Sequence, residues 1–170
     1  MSTNIDNRAI TISSKDDTKF EINRNELRRI KTLDDMFKNM GYDDDIEKEV
    51  EVLPCPAVDG PTLELVVKFI RHHINDPEMS EEEKKKDKRS IPLPQWDKDF
   101  LPKDEEGLYN IYVAANYLYV QKLMDVCAQF ISGLIQGKST TEIGKIFGID
   151  CDLTPAEQEQ IRKENAWCED

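Results

Sequence analysis

Histidine is nearly missing from this 170-residue chain: the two present, His72 and His73, are neighbours. On a helix adjacent residues point about 100° apart, so the two cannot share one metal as an i, i+4 pair does. Glycine is scarce as well. The seven glycines are scattered, with no Gly-x-x-x-x-Gly-Lys or Gly-x-Gly-x-x-Gly run to cradle a phosphate. Basic charge is short, 23 Lys and Arg against 35 Asp and Glu for a net charge of -12, which argues against a nucleic-acid surface. No apolar stretch nears the ~20 residues of a membrane span, and the opening MSTNIDNRAI lacks the core of a secretion signal. No Asn-x-Ser/Thr site occurs, and Cys55, Cys127, Cys151 and Cys168 form no Cys-x-x-Cys pair. Reduced packing thiols in a cytoplasmic and nuclear protein are the expectation. A Cys–His pair between Cys55 and His72 or His73 is formally available, but nothing local supports it. Carboxylates are too plentiful here to signal catalysis. The expectation is a non-enzyme with no cofactor and no metal.

What is present is periodic. Ile10 and Ile12 alternate with Thr11 and Ser13, and Phe20 and Ile22 flank Glu21, a hairpin pattern around the turn residues Lys15, Asp16 and Asp17. Leu27, Ile30, Leu33, Met36, Phe37 and Met40 recur at helical spacing up to Gly41, predicting one or two amphipathic helices. Val50 and Val52 predict a third short strand before Pro54 and Pro56. Pro61 opens a helix with Leu63, Val66, Val67 and Ile70 inside. That order describes an α+β domain. From Asn75 to Ser90 the sequence is charged and predicts a solvated loop. Trp96 and Phe100, four apart, restore order.

Beyond Glu105 the pattern is helical. One helix is predicted from about Glu106 to Tyr119 and another from Gln121 to Gln136. A third begins at Ser139, which forms a capping box with Glu142, and ends near Gly148. In the first, Leu108, Ile111, Ala115 and Leu118 form one stripe, with Tyr109, Tyr112 and Val113 outside it. In the second, Leu123, Val126, Cys127 and Phe130 face inward, leaving Ile131, Leu134 and Ile135 as another surface. Such surplus apolar faces describe a thick core or a docking groove, and the residues alone leave both open.

The last segment, TPAEQEQIRKENAWCED, starts a helix: Thr154 and Glu157 have capping-box spacing and Pro155 takes the first position. Its body is almost wholly polar, and it ends in Ala166, Trp167 and Cys168. A polar rod tipped with an aromatic either grips a partner or folds its tryptophan back onto the domain.

The run RKENAWCED closely resembles the ending of the S-phase-kinase-associated adaptor family, the F-box-binding subunits of cullin-RING (SCF) ubiquitin ligases. The resemblance extends through ISSKDDTKFEINRNELRRIKTLDDM, IPLPQWDKDFL, LYNIYVAANYLYVQKLMDVCAQFI and GKSTTEIGKIFGI, in that order. It implies a BTB/POZ fold over residues 1–100, with the charged loop at 75–90, and a C-terminal helical extension over residues 101–170. It implies an adaptor that links F-box proteins to a cullin scaffold in ubiquitin-dependent degradation. The F-box surface then falls on Leu108, Tyr109, Tyr112, Ile131, Ile135, Ile143, Ile146, Phe147, Trp167 and Cys168. Asn116 and Tyr117, in the run AANYL, correspond to the cullin-contacting pair. Tyr112 stands where the family carries an aliphatic residue, and GIDCDL departs from the usual linker, leaving Cys151 no inherited role. Nucleic acid and membrane are not expected partners. Two alternatives stand beside the adaptor: a BTB-type module that weakly self-associates as a homodimer through its hairpin and Phe37 region, and an enzyme using Cys55 or Cys168.

Overall fold

A computed structural model of the chain describes residues 8–45, 49–77, 92–149 and 153–165. The hairpin forms as the alternation requires. β1 (Ile10–Ser13) and β2 (Lys19–Ile22) are antiparallel, with Ile10 opposite Ile22 and Ile12 opposite Phe20. In the turn Asp17 takes a left-handed φ of 59°, a conformation open to a short polar side chain. Asp16 accepts from Ser14 Oγ at 2.5 Å and from the Gly60 amide at 2.7 Å, fixing the turn to the start of the next long helix. A Cβ at Gly60 would meet Thr18 Oγ1 at 2.8 Å, so only glycine allows this approach.

The third strand is displaced from its expected place. β3 is Leu53–Pro54, parallel to β1 with Ile12 opposite Leu53, and the sheet order is β2-β1-β3. Val50 and Val52 lie outside the strand, and Val52 is exposed. The buried alternate pair is Leu53 and Cys55. The alternation is real but offset by one residue. The Cys55 amide donates to the Ser13 carbonyl at 2.7 Å, and that register turns the odd positions inward.

Helices α1 (Arg24–Arg28) and α2 (Lys31–Asn39) are the two-helix form of the one or two helices expected there, and the segment turns at Gly41 with φ 75°. Asn23 and Glu26 close a capping box on α1. α3 (Gly60–His72) is capped by Asp59 and contains the predicted proline. α4 (Gln95–Phe100) carries Trp96 and Phe100, which stack on each other, with Trp96 also flat on His72 and Phe100 tilted against Phe69 at 5.7 Å. α5 (Glu105–Leu118) starts from Asp104 and stops at Tyr119, in the left-handed region at φ 54°. α6 (Gln121–Ile135), α7 (Thr140–Ile146) and α8 (Pro155–Glu164) follow, α7 and α8 behind the predicted capping boxes. The expected loop at 75–90 falls almost wholly on residues outside the described set. The α+β class and the helical extension stand as expected.

Two compact units divide the chain, residues 1–132 and 133–170. The first holds the sheet, α1–α5 and most of α6, so its helices continue past residue 100. Its core gathers Ile10, Ile12, Leu27, Phe37, Leu53, Leu63, Ile111, Leu118 and Leu123, all essentially sealed from solvent. A charged network lies inside that core. Arg24 is buried over the Phe37 ring, 4.6 Å from its centroid, and donates to Asp34 at 2.5 Å and to both Asp43 oxygens at 2.9 and 3.0 Å. Burial disfavours the Asp34 carboxylate, but hydrogen bonds from Lys38 and Arg24 outweigh it and hold its pKa below the usual value. Ionisable groups this deep persist only when paired in this way.

Candidate functional site: the exposed face of α5 and the helices beyond it

α5 is read on both sides. Leu108, Ile111, Ala114, Ala115 and Leu118 face the core, where α2 and α3 pack against the helix. Tyr109, Tyr112, Val113, Asn116 and Tyr117 face solvent at spacings of three, one, three and one, which is one continuous stripe. Tyr109 is 66% exposed and Tyr112 39%. The stripe spans about 12 Å along the helix axis at 1.5 Å per residue. Leu108, at 6% exposure, belongs to the buried side. Asn116 and Tyr117 lie at the C-terminal end of the same stripe. There the Tyr117 carbonyl accepts from Thr32 Oγ1 at 2.9 Å, tying the helix end to α2.

α6 repeats the division. Leu123, Val126 and Cys127 are buried, whereas Phe130 and Ile131 are half-buried, with the Lys103 ammonium over the Phe130 ring at 4.8 Å. Thus Leu108, Tyr109, Tyr112 and Ile131 belong to the first unit. Ile135, Ile143, Ile146 and Phe147 belong to the second. Ile135 is 37% exposed, and the three on and after α7 are half-buried. Trp167 and Cys168 lie outside the described residues, as does Cys151. Val113 belongs to the exposed stripe although the sequence expectation left it out of the site. Its spacing from Tyr109 and Tyr117 was the available signal.

Of the chemical alternatives, the one that rests on Cys55 finds little footing, while Cys168 lies outside the described residues. Cys55 is sealed in the core, and burial pushes its thiol pKa up to about 11. Burial likewise takes Cys127 up to about 12. Both are thiols at neutral pH, and nucleophilic attack needs the thiolate. His73 is held by carboxylates at both ring nitrogens, Nδ1 to Asp76 at 2.7 Å and Nε2 to Asp97 at 2.8 Å. His72 lies flat on Trp96, 3.6 Å between ring centroids. Among the described residues no three His, Cys, Asp or Glu side chains converge on a metal position, and no helix is long and apolar enough to cross a membrane.

Comparison with known proteins places this architecture. The family pattern described as "Skp1 family, tetramerisation domain" matches residues 8–75, and "Skp1 family, dimerisation domain" matches residues 121–168. A Caenorhabditis elegans "Skp1-related protein" is 39% identical over 96% of this chain and 93% of the relative. The Dictyostelium discoideum "SCF ubiquitin ligase complex protein SKP1a" is 38% identical over 95% of this chain and 96% of its own length. A Talaromyces stipitatus "E3 ubiquitin ligase complex SCF subunit sconC" is 36% identical over 95% of this chain and 97% of the relative. With likeness at this level over nearly the whole length of both partners, the chain belongs to the Skp1 family.

Proposed function

We propose that this chain is the non-catalytic adaptor of an SCF-type ubiquitin ligase, joining F-box substrate-recognition proteins to a cullin scaffold. The observation that carries the reading is the solvent-facing aromatic stripe of α5 in a chain of the Skp1 family. A monomer that satisfied its own core would have no reason to display Tyr109, Tyr112 and Val113 in register. In this proposal Tyr109, Tyr112 and Ile131 meet the F-box protein together with Ile135, Ile143, Ile146, Phe147, Trp167 and Cys168, with Leu108 supporting them from beneath. Asn116 and Tyr117 meet the cullin. Recognition is helix-in-groove: aromatic and aliphatic anchors supply affinity, and surrounding charge sets orientation and rate. Thiols kept reduced, such as Cys55 and Cys127, suit work in the cytosol and nucleus. Their raised pKa values support a protein that assembles rather than catalyses.

The test is calorimetric titration of the full chain with an F-box domain and, separately, with a cullin N-terminal domain. Tyr109→Ala is expected to weaken the F-box complex at least tenfold and leave the cullin complex within twofold. Changing Asn116 to Ala together with Tyr117 to Lys is expected to do the reverse. Loss of both partners by either variant, with an unchanged melting temperature, overturns the division of the surface. Failure of the wild-type chain to bind either domain overturns the adaptor itself.

A further inference from the structure

His73 sits in the first unit where α3, α4 and α6 come together. It follows the last residue of α3, and its side chain is 10% exposed. Nδ1 faces Asp76 Oδ2 at 2.7 Å, in the turn that leaves α3, and Nε2 faces Asp97 Oδ1 at 2.8 Å, on α4. An ionised carboxylate has nothing to donate, so the ring must supply the proton of both bonds. A neutral imidazole carries one N–H and the charged ring two. The bridge from the turn to α4 is complete only in the imidazolium form. Imidazole is also the side chain whose charge ordinarily changes between about pH 5 and 8.

The two ends of the bridge are unequal. Asp97 is 1% exposed, and among the described residues His73 is the one donor to its carboxylate. Without that bond it becomes a buried charge with no partner, a costly state. Asp76 is half-buried and has a second partner, Lys122 of α6, on the same Oδ2. Hydrogen bonds from Lys122 first and His73 second hold the Asp76 carboxylate below its ordinary pKa. Asp76 stays ionised and paired, then, if the ring withdraws. Arg29, just after α1, donates to the carbonyls of Ile74 and Asp76 at 3.1 Å each. With Arg28, Lys31 and Lys122 it lines a cavity that His73 borders. Those four cations favour the uncharged ring, and the two carboxylates favour the charged one. The His72 and Trp96 rings stand edge-on to His73, at 4.8 and 5.4 Å between centroids.

We propose that His73 is a one-sided proton latch: with two protons it ties the turn of residues 73–76 to α4, and on losing one it keeps Asp97 and lets Asp76 go. The proton that leaves is the one on Nδ1. It leaves a ring lone pair 2.7 Å from a carboxylate oxygen, two electron-rich atoms with no hydrogen between them. Asp76 then turns toward Lys122 and water. The turn is left with the bonds of its backbone, from Arg29 and from the Asp76 amide to the His73 carbonyl at 3.1 Å. α4 stays docked, because the Asp97 bond and the contacts of Trp96 with His72 and Phe100 with Phe69 do not use that proton. The latch thus sets how firmly the chain is moored where it leaves α3. None of these residues belongs to the surfaces proposed for F-box or cullin, so the latch stands or falls apart from the adaptor reading.

The test is NMR of the full chain with ¹⁵N-labelled histidine, titrated from about pH 5 to 8.5. Two-bond proton–nitrogen correlations report which ring nitrogen holds the proton. His72→Phe, which keeps a ring on Trp96, assigns the two histidines. At the alkaline limit His73 is expected as the Nε2–H tautomer. Hydrogen exchange of the Asp76 amide, corrected for its intrinsic rise with pH, is expected to quicken at least threefold across the His73 titration. The Leu101 amide, bonded to the Asp97 carbonyl at the end of α4, is expected to show no such step. Asp76→Ala is expected to abolish the step at residue 76 and leave the tautomer unchanged. Five results each overturn the proposal: an Nδ1–H tautomer at high pH, a ring that does not titrate in this range, an Asp76 exchange rate that ignores the titration, release of Leu101 together with Asp76, or a step that persists in Asp76→Ala.

Discussion

The two compact units solve the problem of order differently. In residues 1–132 the described side chains of the sheet and of α1–α6 close over one another, and Phe37, Leu53, Leu63 and Ile111 are sealed. In residues 133–170 no described residue is fully buried: Ile143, Ile146 and Phe147 are half covered, while Ile149 and Ile161 are exposed. What fixes the second unit is local. Ser139 and Glu142 close one helix start, and Thr154 and Glu157 another, each through a reciprocal pair of hydrogen bonds. Short helices held by caps alone are marginal in water, because a few kcal/mol of tertiary packing usually completes them. The first unit is written in packing and the second in caps. Apolar residues that a unit leaves half covered are available for a partner to cover.

The largest expected contrast comes from one aromatic in each unit. Phe37→Ala is expected to cost about 3–5 kcal/mol in urea unfolding, as a large side chain lost from a sealed core. Phe147→Ala is expected to cost under about 1 kcal/mol, typical of a surface change, while weakening the F-box complex at least tenfold. Comparable losses of stability from both would show that the second unit has a core of its own.

Next in size is the charged network of the first unit. Asp34→Ala removes one of the two carboxylates on Arg24, leaving only the Asp43 pair, and is expected to cost about 2 kcal/mol. Because Asp34 titrates below its unfolded value, its contribution is complete above about pH 4 and fades as pH falls through the lower folded value. An acid titration of stability should therefore be flatter in Asp34→Ala than in wild type, and equal slopes would refute the assignment.

Smaller effects belong to the caps. Ser139→Ala and Thr154→Ala are each expected to remove about 1 kcal/mol of local helix stability, seen as lower far-ultraviolet ellipticity with an unchanged main unfolding transition. The smallest effect is expected from deleting residues 78–89. So charged a stretch has little apolar surface to bury, so the melting temperature should stay within about 3 °C of wild type. A larger drop would assign that stretch to the packed unit.

The sequence made the local features legible. The capping boxes at Ser139 and Thr154, the hairpin at Ile10–Ile22, and the stops at Gly41 and Gly148 are all carried by residues within a few positions of each other. The exposed stripe of α5 was half legible: helical spacing placed Tyr109 and Tyr112 outside the core stripe, but could not separate docking face from thick core. Long-range features were not legible. The one-residue offset of β3 depends on pairing with Ile12, which no local alternation encodes. Arg24 reads as a surface residue until Asp34 and Asp43, distant in sequence, arrive beside it. A cavity lined by Arg28, Ile70 and Lys122 draws its wall from three separate segments, so no window of sequence contains it. The capping box of Asn23 and Glu26 follows the same spacing rule.

The two-residue strand β3 also bears on the route by which the chain folds. The β1–β2 hairpin joins neighbours across a short turn, a closure that takes microseconds. Pairing Leu53 with Ile12 instead closes a loop of about forty residues, for the return of only a few backbone hydrogen bonds. That imbalance makes β3 a late latch, able to dock only after α1 and α2 have shortened the path between its ends. Shortening Leu53 should then speed unfolding and barely slow folding, whereas a comparable loss at Ile22 should slow folding itself.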